Sequence, residues 1–154
     1  MTASSPKPIS ESQENLIKPL MRLMSAANVW LFRVSRGRLG NRVSGAPVLL
    51  LTTRGRRSGR TRTAPLIYLQ NGDDVVLVAS KGGMPHHPLW YLNLTTNAEA
   101  EVEIGGGRSK RSARRASDQE KAALWPKLVE IYPPYDDYQA RTERNIPVMI
   151  LSPR

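Results

Sequence analysis

The dipeptide Asn71-Gly72 lies between two apolar, β-branched segments and constrains the fold more than any other feature of this sequence. Asn-Gly readily adopts the left-handed backbone conformations that a tight two-residue hairpin turn requires. It therefore predicts that a strand over Arg62–Gln70 returns as an antiparallel strand over Asp73–Ser80. Any fold proposed for the chain has to contain this hairpin.

Further strands are predicted on both sides of the hairpin, at Val48–Thr53, Glu99–Ile104, Arg108–Ala116 and Ile146–Leu151. The second of these segments alternates, which places Val102 and Ile104 on one face and Glu101 and Glu103 on the other. Several strands with few helices, mostly paired in hairpins, are typical of a mainly β (α+β) fold. We expect a small antiparallel β-barrel decorated with helices.

Short helices are predicted between these strands. Pro88–Leu94 carries a Trp-Tyr pair and has the length of a short helix. Ser117-Asp118-Gln119-Glu120 matches a capping box and opens a helix that reaches about Ile131. A further short helix is predicted over Asp136–Arg141.

The chain before the barrel divides into two segments. Residues 1–14 are polar and rich in Pro and Ser, which predicts a disordered tail. Residues 15–34 place apolar side chains at helical spacing beside Lys18 and Arg33, which predicts a cationic amphipathic helix. The apolar stripe has two interpretations: it packs on the barrel domain, predicted over residues 45–154, or it lies on an anionic membrane surface.

The same N-terminal residues bear on localisation. They lack the apolar stretch of a secretory signal, and the predicted helix is too interrupted to span a bilayer. We therefore expect a cytoplasmic protein, held peripherally at the inner face of the plasma membrane under the second interpretation of the helix.

The charge of the chain is distributed unevenly. Its 154 residues carry a formal net charge of +10, and eleven cations but no acid lie between Glu14 and Asp73. Most of these cations are arginine, which makes planar, bidentate contacts with phosphate and carboxylate. The expected partner is a polyanion: nucleic acid, an anionic membrane, or a phosphorylated or polycarboxylate ligand. The absence of cysteine, with His86-His87 as the only histidines, predicts no metal site and excludes a thiol nucleophile.

Three segments carry residues suited to binding an anionic ligand. Arg54–Arg62 holds five arginines, and its glycines permit an anion-binding turn that lacks the Gly-Lys-Ser/Thr ending of a P-loop. Ala79–Gly83 ends the returning strand with a hydroxyl, a cation and two glycines. Pro88–Leu94 includes Asn93, which we expect to brace the neighbouring loop. His86-His87 is interpreted as loop and helix cap.

A fourth segment contains Tyr132, Tyr135 and Tyr138 at a spacing of three. Neutral tyrosine hydroxyls can donate to a carbonyl or nitro oxygen and so polarise it. An amphipathic patch packed on the barrel would show the same pattern. Both interpretations remain open from the residues alone.

Six stretches are specific when taken together and in order: Val48–Gly59, Arg62–Leu66, Val78–Gly83, Pro88–Leu94, Trp125–Tyr138 and Thr142–Pro147. As a set they resemble the deazaflavin (coenzyme F420)-dependent nitroreductase and quinone reductase family of actinobacteria. The resemblance implies a split antiparallel β-barrel of the FMN-binding type and bound coenzyme F420, a deazaflavin with a phosphodiester and an oligoglutamate tail. It also implies hydride transfer to a small-molecule acceptor: a menaquinone-like quinone and, in some members, a nitroimidazole.

The same resemblance implies roles for individual residues. Arg56, Arg57 and Ser58 would meet the phosphate and the acidic tail. The remaining cofactor-binding positions that it implies are Arg62, Thr63, Ala64, Pro65, Leu66, Ile67, Val78, Ala79, Ser80, Lys81, Leu89, Trp90, Tyr91, Leu92, Asn93 and Tyr135. The acceptor pocket and catalytic set that it implies are Ser80, Tyr132, Tyr135 and Tyr138, with Tyr135 in direct contact with the acceptor.

Two other functions remain as alternatives. One is an FMN-binding split-barrel protein, because barrels of that kind share the architecture. The other is a basic nucleic-acid-binding barrel, which would interleave exposed aromatics with its cations. No aromatic residue lies between Phe32 and Tyr68 around the arginine segment. We therefore expect no nucleic-acid partner.

Overall fold

The computed structural model describes residues 10–154, apart from the side chains of residues 14, 17, 21 and 22. A 3-10 turn at Lys81–Gly83 follows the fourth strand. The helices and strands, in chain order, are α1 Glu11–Val34, β1 Arg42–Val43, β2 Ala46–Arg54, β3 Thr61–Asn71, β4 Asp74–Val78, α2 Leu89–Thr96, β5 Glu99–Ile104, β6 Gly107–Arg115, α3 Asp118–Ile131, α4 Pro134–Arg141 and β7 Val148–Pro153.

The strands close an antiparallel barrel in the order β2-β3-β4-β7-β6-β5, with β5 pairing back onto β2. Short β1 pairs with the start of β2. The predicted hairpin is present: Asn71 pairs with Asp74, and Gly72 has a φ of 62°. The fold class expected from the sequence is confirmed.

Strand β3 changes its partner along its length. Thr61–Ile67 pairs with β2, whereas Tyr68–Asn71 pairs with β4. Among the described residues, the first half of β3 therefore pairs along one edge only. Pro65 lies in that half, where a missing backbone N–H is tolerated. The barrel is split at this point, and residues of the same half line the cavities described below.

Strand β7 lies between two hydrophobic clusters. Met149 and Leu151 belong to the cluster inside the barrel. Val148 and Ile150 belong to a second cluster beneath α3 and α4, together with Tyr135. Because successive side chains of a strand point to opposite faces, β7 is buried on both sides. The second cluster holds the tyrosine-bearing helix α4 against the barrel.

Helix α1 begins earlier than expected. We expected the helix from residue 15 after a tail over 1–14, but the helix starts at Glu11. The reason is a capping box: Ser10 Oγ accepts from the backbone N–H of Gln13, and Gln13 Oε1 accepts from the backbone N–H of Ser10. Pro19 lies inside the helix. The expected disorder of residues 1–9 falls outside the described residues.

The apolar stripe of α1 faces away from the barrel. Leu16 is 80% exposed, Leu23 68% and Trp30 65%, so the interpretation in which the stripe packs on the barrel is wrong for these side chains. The helix is attached through another face, where Phe32 is buried. Among the described residues, no helix is both long enough and apolar enough to cross a bilayer.

Glu103 also departs from its expected position. The alternation of β5 placed it on the polar face, but the side chain is buried. The end of α1 covers this position: Arg33 Nη2 lies 3.0 Å from one carboxylate oxygen and Arg108 Nε lies 3.2 Å from the other. A paired carboxylate is tolerated in such a site because both arginines compensate its charge.

Candidate functional site

The larger of two neighbouring cavities lies between the arginine turn, the open edge of β3 and the start of α2. It has a volume of about 850 Å³. Its lining residues are Thr53, Gly55, Arg56, Arg57, Ser58, Arg62, Thr63, Ala64, Lys81, Pro88, Leu89, Trp90 and Asn93. Cations concentrate at one end of a cleft that is otherwise formed by small and apolar side chains.

The smaller cavity, of about 360 Å³, continues from the larger one toward α1 and α4. Lys81, Pro88 and Trp90 line both cavities. The other residues of the smaller cavity are Asn28, Val43, Val48, Pro65, Leu66, Ile67, Val78, Ser80, Gly82, Tyr132, Tyr135 and Tyr138. The two cavities therefore adjoin along the open edge of β3, and together they are called the groove.

The arginine turn is built by backbone hydrogen bonds and by one side chain from α2. Gly55 N–H donates to the Arg60 carbonyl at 2.8 Å, and Gly59 has a φ of 70°, a conformation that glycine adopts without strain. Asn93 Oδ1 accepts from the Arg56 N–H at 3.1 Å, while its Nδ2 donates to Thr53 Oγ1 at 3.0 Å. The expectation that Asn93 braces this loop is confirmed.

The arginine side chains of this turn remain at the surface. Arg54, Arg56, Arg57, Arg60 and Arg62 are all exposed. Like charges held close together repel one another unless an anion compensates them. The turn can therefore offer several charge-assisted hydrogen bonds to phosphate or carboxylate groups.

The tyrosines form one cluster at the far wall of the groove. The hydroxyls of Tyr132 and Tyr138 lie 3.0 Å apart, and the rings of Tyr132 and Tyr135 meet edge to face with centroids 4.9 Å apart. Burial raises the pKa of Tyr135 above its ordinary value. Burial, together with the hydrogen bond between the Tyr138 and Tyr132 hydroxyls, raises the pKa of Tyr138 to about 12. These two hydroxyls therefore remain protonated donors near neutral pH.

The groove brings most of the predicted site residues together, but three cofactor-binding predictions line neither cavity. Ala79, Tyr91 and Leu92 pack in or against the barrel core instead. Tyr91 also accepts a hydrogen bond from Arg115 at 3.2 Å. His87 stacks on Tyr91, and α2 has no side-chain cap, so the helix-cap interpretation of the histidines is wrong.

Sequence reasoning missed one residue that organises the site. Arg144 donates to three backbone carbonyls between Ala79 and Met84, next to the groove. The stretch Thr142–Pro147 contributed to the family resemblance, but nothing in its local pattern indicated contacts more than fifty residues away.

The fold and the site together define a class of protein: a split β-barrel with a cleft whose cationic turn suits an anionic ligand. Residues 24–153 match the model of the F420H(2)-dependent quinone reductase family. The chain belongs to this family, it is an oxidoreductase, and its cofactor is coenzyme F420. The resemblance stated from the sequence is confirmed.

Individual proteins show the same relationship. F420H(2)-dependent quinone reductase Rv1261c of Mycobacterium tuberculosis is 40% identical over 139 residues, which cover 88% of this chain and 91% of the relative. Rv3178 of the same organism, named for the same activity, is 44% identical over 108 residues, which cover 70% of this chain and 91% of the relative. A solved F420-H2 dependent reductase aligns with a TM-score of 0.64 at 41% identity, over 69% of this chain and 94% of that structure.

Proposed function

We propose that this chain transfers a hydride from reduced F420, held in the larger cavity, to a menaquinone-like quinone held in the smaller cavity. The observation that carries the proposal is that the two cavities share Lys81, Pro88 and Trp90 as lining residues and so lie next to each other. Hydride transfer requires donor and acceptor in direct contact, and a groove shared by both ligands provides that contact. Nitroimidazoles, which are also flat and carry polar oxygens, are proposed as further acceptors.

The residues of the larger cavity fit the chemistry of F420. Its phosphodiester and glutamate tail need cationic donors, and Arg56, Arg57 and Ser58 supply them at one end of the cavity. Its flat ring system needs an apolar surface and free backbone groups. Ala64 and Trp90 supply the first, and the open edge of β3 supplies the second.

When bound, reduced F420 supplies the hydride itself, so the protein needs to orient and stabilise the acceptor. Tyr132, Tyr135, Tyr138 and Ser80 all line the smaller cavity. In this proposal their hydroxyls surround the acceptor oxygen that gains negative charge. Because the Tyr135 and Tyr138 hydroxyls remain protonated near neutral pH, they donate hydrogen bonds to that oxygen. Proton delivery from Ser80 or Tyr132 through water completes reduction of the quinone.

The cofactor site is tested by fluorescence quenching of F420, with FMN and duplex DNA as competing ligands. We expect F420 alone to bind tightly. Arg57→Ala removes charge-assisted hydrogen bonds and is expected to raise Kd about tenfold to a hundredfold. Lys110→Ala is the matched control, because Lys110 is exposed on β6 and lines neither cavity. Tight binding of FMN or DNA instead of F420 would replace the proposal with the corresponding alternative.

The acceptor site is tested by anaerobic oxidation of reduced F420 with a soluble quinone and, separately, a nitroimidazole. Tyr135→Phe removes one hydroxyl donor and is expected to lower kcat/KM about tenfold to a hundredfold while the Kd for F420 is unchanged. Tyr68→Phe is the control, because Tyr68 lies on β3 outside both cavities. Equal kcat/KM values for Tyr135→Phe and wild type with every acceptor would remove the tyrosine from the mechanism.

We also propose that the outward face of α1 rests on an anionic membrane, where a lipid-soluble quinone resides. The support is the exposure of Leu20 and Leu23 on one face of a helix that also carries Lys18. In co-sedimentation with phosphatidylglycerol vesicles, Leu20→Gln/Leu23→Gln is expected to reduce binding at least about tenfold. Leu39→Gln, exposed outside α1, is the control. Equal binding by the double variant and wild type would refute membrane contact through this face.

A further inference from the structure

The turn after β4 has an unusual backbone. Lys81, Gly82 and Gly83 all have positive φ values, of 46°, 63° and 76°. Lysine in this region is strained because its Cβ approaches the backbone, so the surrounding structure has to hold the conformation. The turn's own hydrogen bonds, Gly83 N–H to Ser80 and Met84 N–H to Lys81, are short-range and few.

Arg144 spans this turn with every nitrogen of its guanidinium. Nη2 donates to the Ser80 carbonyl at 2.7 Å, Nη1 donates to the Ala79 carbonyl at 3.1 Å, and Nε donates to the Met84 carbonyl at 2.9 Å. Nη1 also lies 3.2 Å from His87 Nδ1. A planar fork with five donors can join several carbonyls at once, which the single ammonium group of lysine cannot reproduce.

Arg144 is itself held from the opposite side. Its backbone carbonyl accepts a hydrogen bond from Gln139 Nε2 of α4 at 2.9 Å. Gln139 Oε1 in turn accepts from Lys121 Nζ of α3 at 2.9 Å. The backbone of Arg144 is therefore tied to α4, which carries Tyr135 and Tyr138, and through Gln139 to α3.

We propose that Arg144 is a positioning residue: by clamping the 79–84 turn it sets where Ser80 and Lys81 stand at the junction of the two cavities. Ser80 lines the smaller cavity, and Lys81 lines both. A displaced turn would therefore alter the cofactor-binding and acceptor-binding sites together. Arg144 itself lines neither cavity. This inference rests on the proposed placement of the two ligands.

The test compares Arg144→Lys with wild type and with Arg111→Lys. Arg111 is the matched control because it also donates to backbone carbonyls, those of Asp73 and Leu151, but lines neither cavity. Hydrogen exchange of the ligand-free proteins measures the clamp directly. We expect amides of residues 79–87 to exchange at least about tenfold faster in Arg144→Lys, with β2 and β7 unchanged.

The second readout is ligand binding and turnover. In Arg144→Lys we expect the Kd for F420 and the KM for quinone both to rise, and kcat to fall up to about a hundredfold, because a small displacement of reacting groups has that effect. Arg111→Lys is expected to keep wild-type values. Unchanged exchange at 79–87 would overturn the clamp, and faster exchange with unchanged Kd, KM and kcat would overturn its positioning role. Failure of wild type to bind F420 would reject the proposed function instead, with the exchange result still decisive for the clamp.

Discussion

The two side-chain hydrogen bonds of Asn93, with Arg56 N–H and with Thr53 Oγ1, form a bracket between α2 and the arginine turn. Replacing Asn93 by alanine would remove this bracket. Asn93 is 6% exposed and Thr53, one of its partners, is 3% exposed. The substitution removes two hydrogen bonds, of 3.1 Å from Arg56 N–H and 3.0 Å to Thr53 Oγ1. Water has little access to the buried Thr53 hydroxyl, whereas Arg56 N–H lies in an exposed turn.

The expected effect on stability follows from those two contacts. A buried group left without its partner costs about 1–3 kcal/mol. Two lost hydrogen bonds are expected to lower the free energy of unfolding by about 2–4 kcal/mol, because the exposed turn relaxes and reduces the cost at Arg56. In a chain of this size, 1 kcal/mol shifts Tm by about 2–4 °C, so we expect Tm to fall by about 4–16 °C. Circular dichroism melts, or urea unfolding at constant temperature, measure this change.

The same variant is expected to weaken F420 binding, since the Arg56 backbone loses the contact that holds the cationic end of the larger cavity. Asn93→Asp separates the bracket from simple loss of the side chain. An aspartate can still accept from Arg56 N–H, and the Thr53 hydroxyl can rotate to donate to it. We expect Asn93→Asp to melt at a higher temperature than Asn93→Ala, while its carboxylate, which lines the larger cavity, weakens the binding of anionic F420. If Asn93→Ala matched wild type in both Tm and Kd, the bracket would play no part in holding the turn.

Three further predictions test other parts of the fold. Glu103→Gln removes the negative charge that Arg33 and Arg108 share and is expected to lower the free energy of unfolding by about 1–3 kcal/mol. Urea titration measures this change, and an unchanged unfolding midpoint would contradict it. Gly83→Ala places a Cβ 2.7 Å from a backbone oxygen of α4 and is expected to lower the free energy of unfolding by about 3 kcal/mol or more. Gly82→Ala has open space around its Cβ and is expected to lower it by about 1–2 kcal/mol. Equal losses in the two variants would refute the contact. Burial is the larger cause, and the charge of Arg144 the second, that lowers the pKa of His87 below 6.5 in the folded state. The unfolded state therefore binds more protons, and the stability of the protein falls as the pH drops below 6.5. Tm measured against pH should show a shallower acid decline in His87→Gln; identical profiles would exclude His87 as the cause.

Elements with a local chemical signal could be predicted from the sequence. Asn71-Gly72 indicated its hairpin because the turn depends on the two residues themselves. Ser117 indicated the start of α3 because a capping box is complete within four residues. The same signal at Ser10, with Gln13 in place of glutamate, would have located the start of α1.

Features that depend on distant partners could not be predicted in the same way. The periodicity of α1 identified an apolar face, but it carried no information on what that face meets. Alternation in β5 placed Glu103 on a polar face, yet Arg33 arrives from a helix 70 residues away and encloses it. The contacts of Arg144 cross 57 to 65 residues of sequence. Such pairs are set by the closure of the barrel, which no local pattern contains.

The change of partner along β3 leaves one edge of its first half open, and both cavities lie along that edge. Arg62–Ala64 lines the larger cavity and Pro65–Ile67 lines the smaller one, so consecutive residues of one strand contribute to both cavities. A strand advances about 3.3 Å per residue, so two sites formed by consecutive residues of one strand are adjacent. Asn28 of α1 and the tyrosines of α4 enclose only the smaller cavity. If F420 and its acceptor bind as proposed, variation in those two helices is expected to change which acceptor fits, while β3 keeps the two binding sites adjacent.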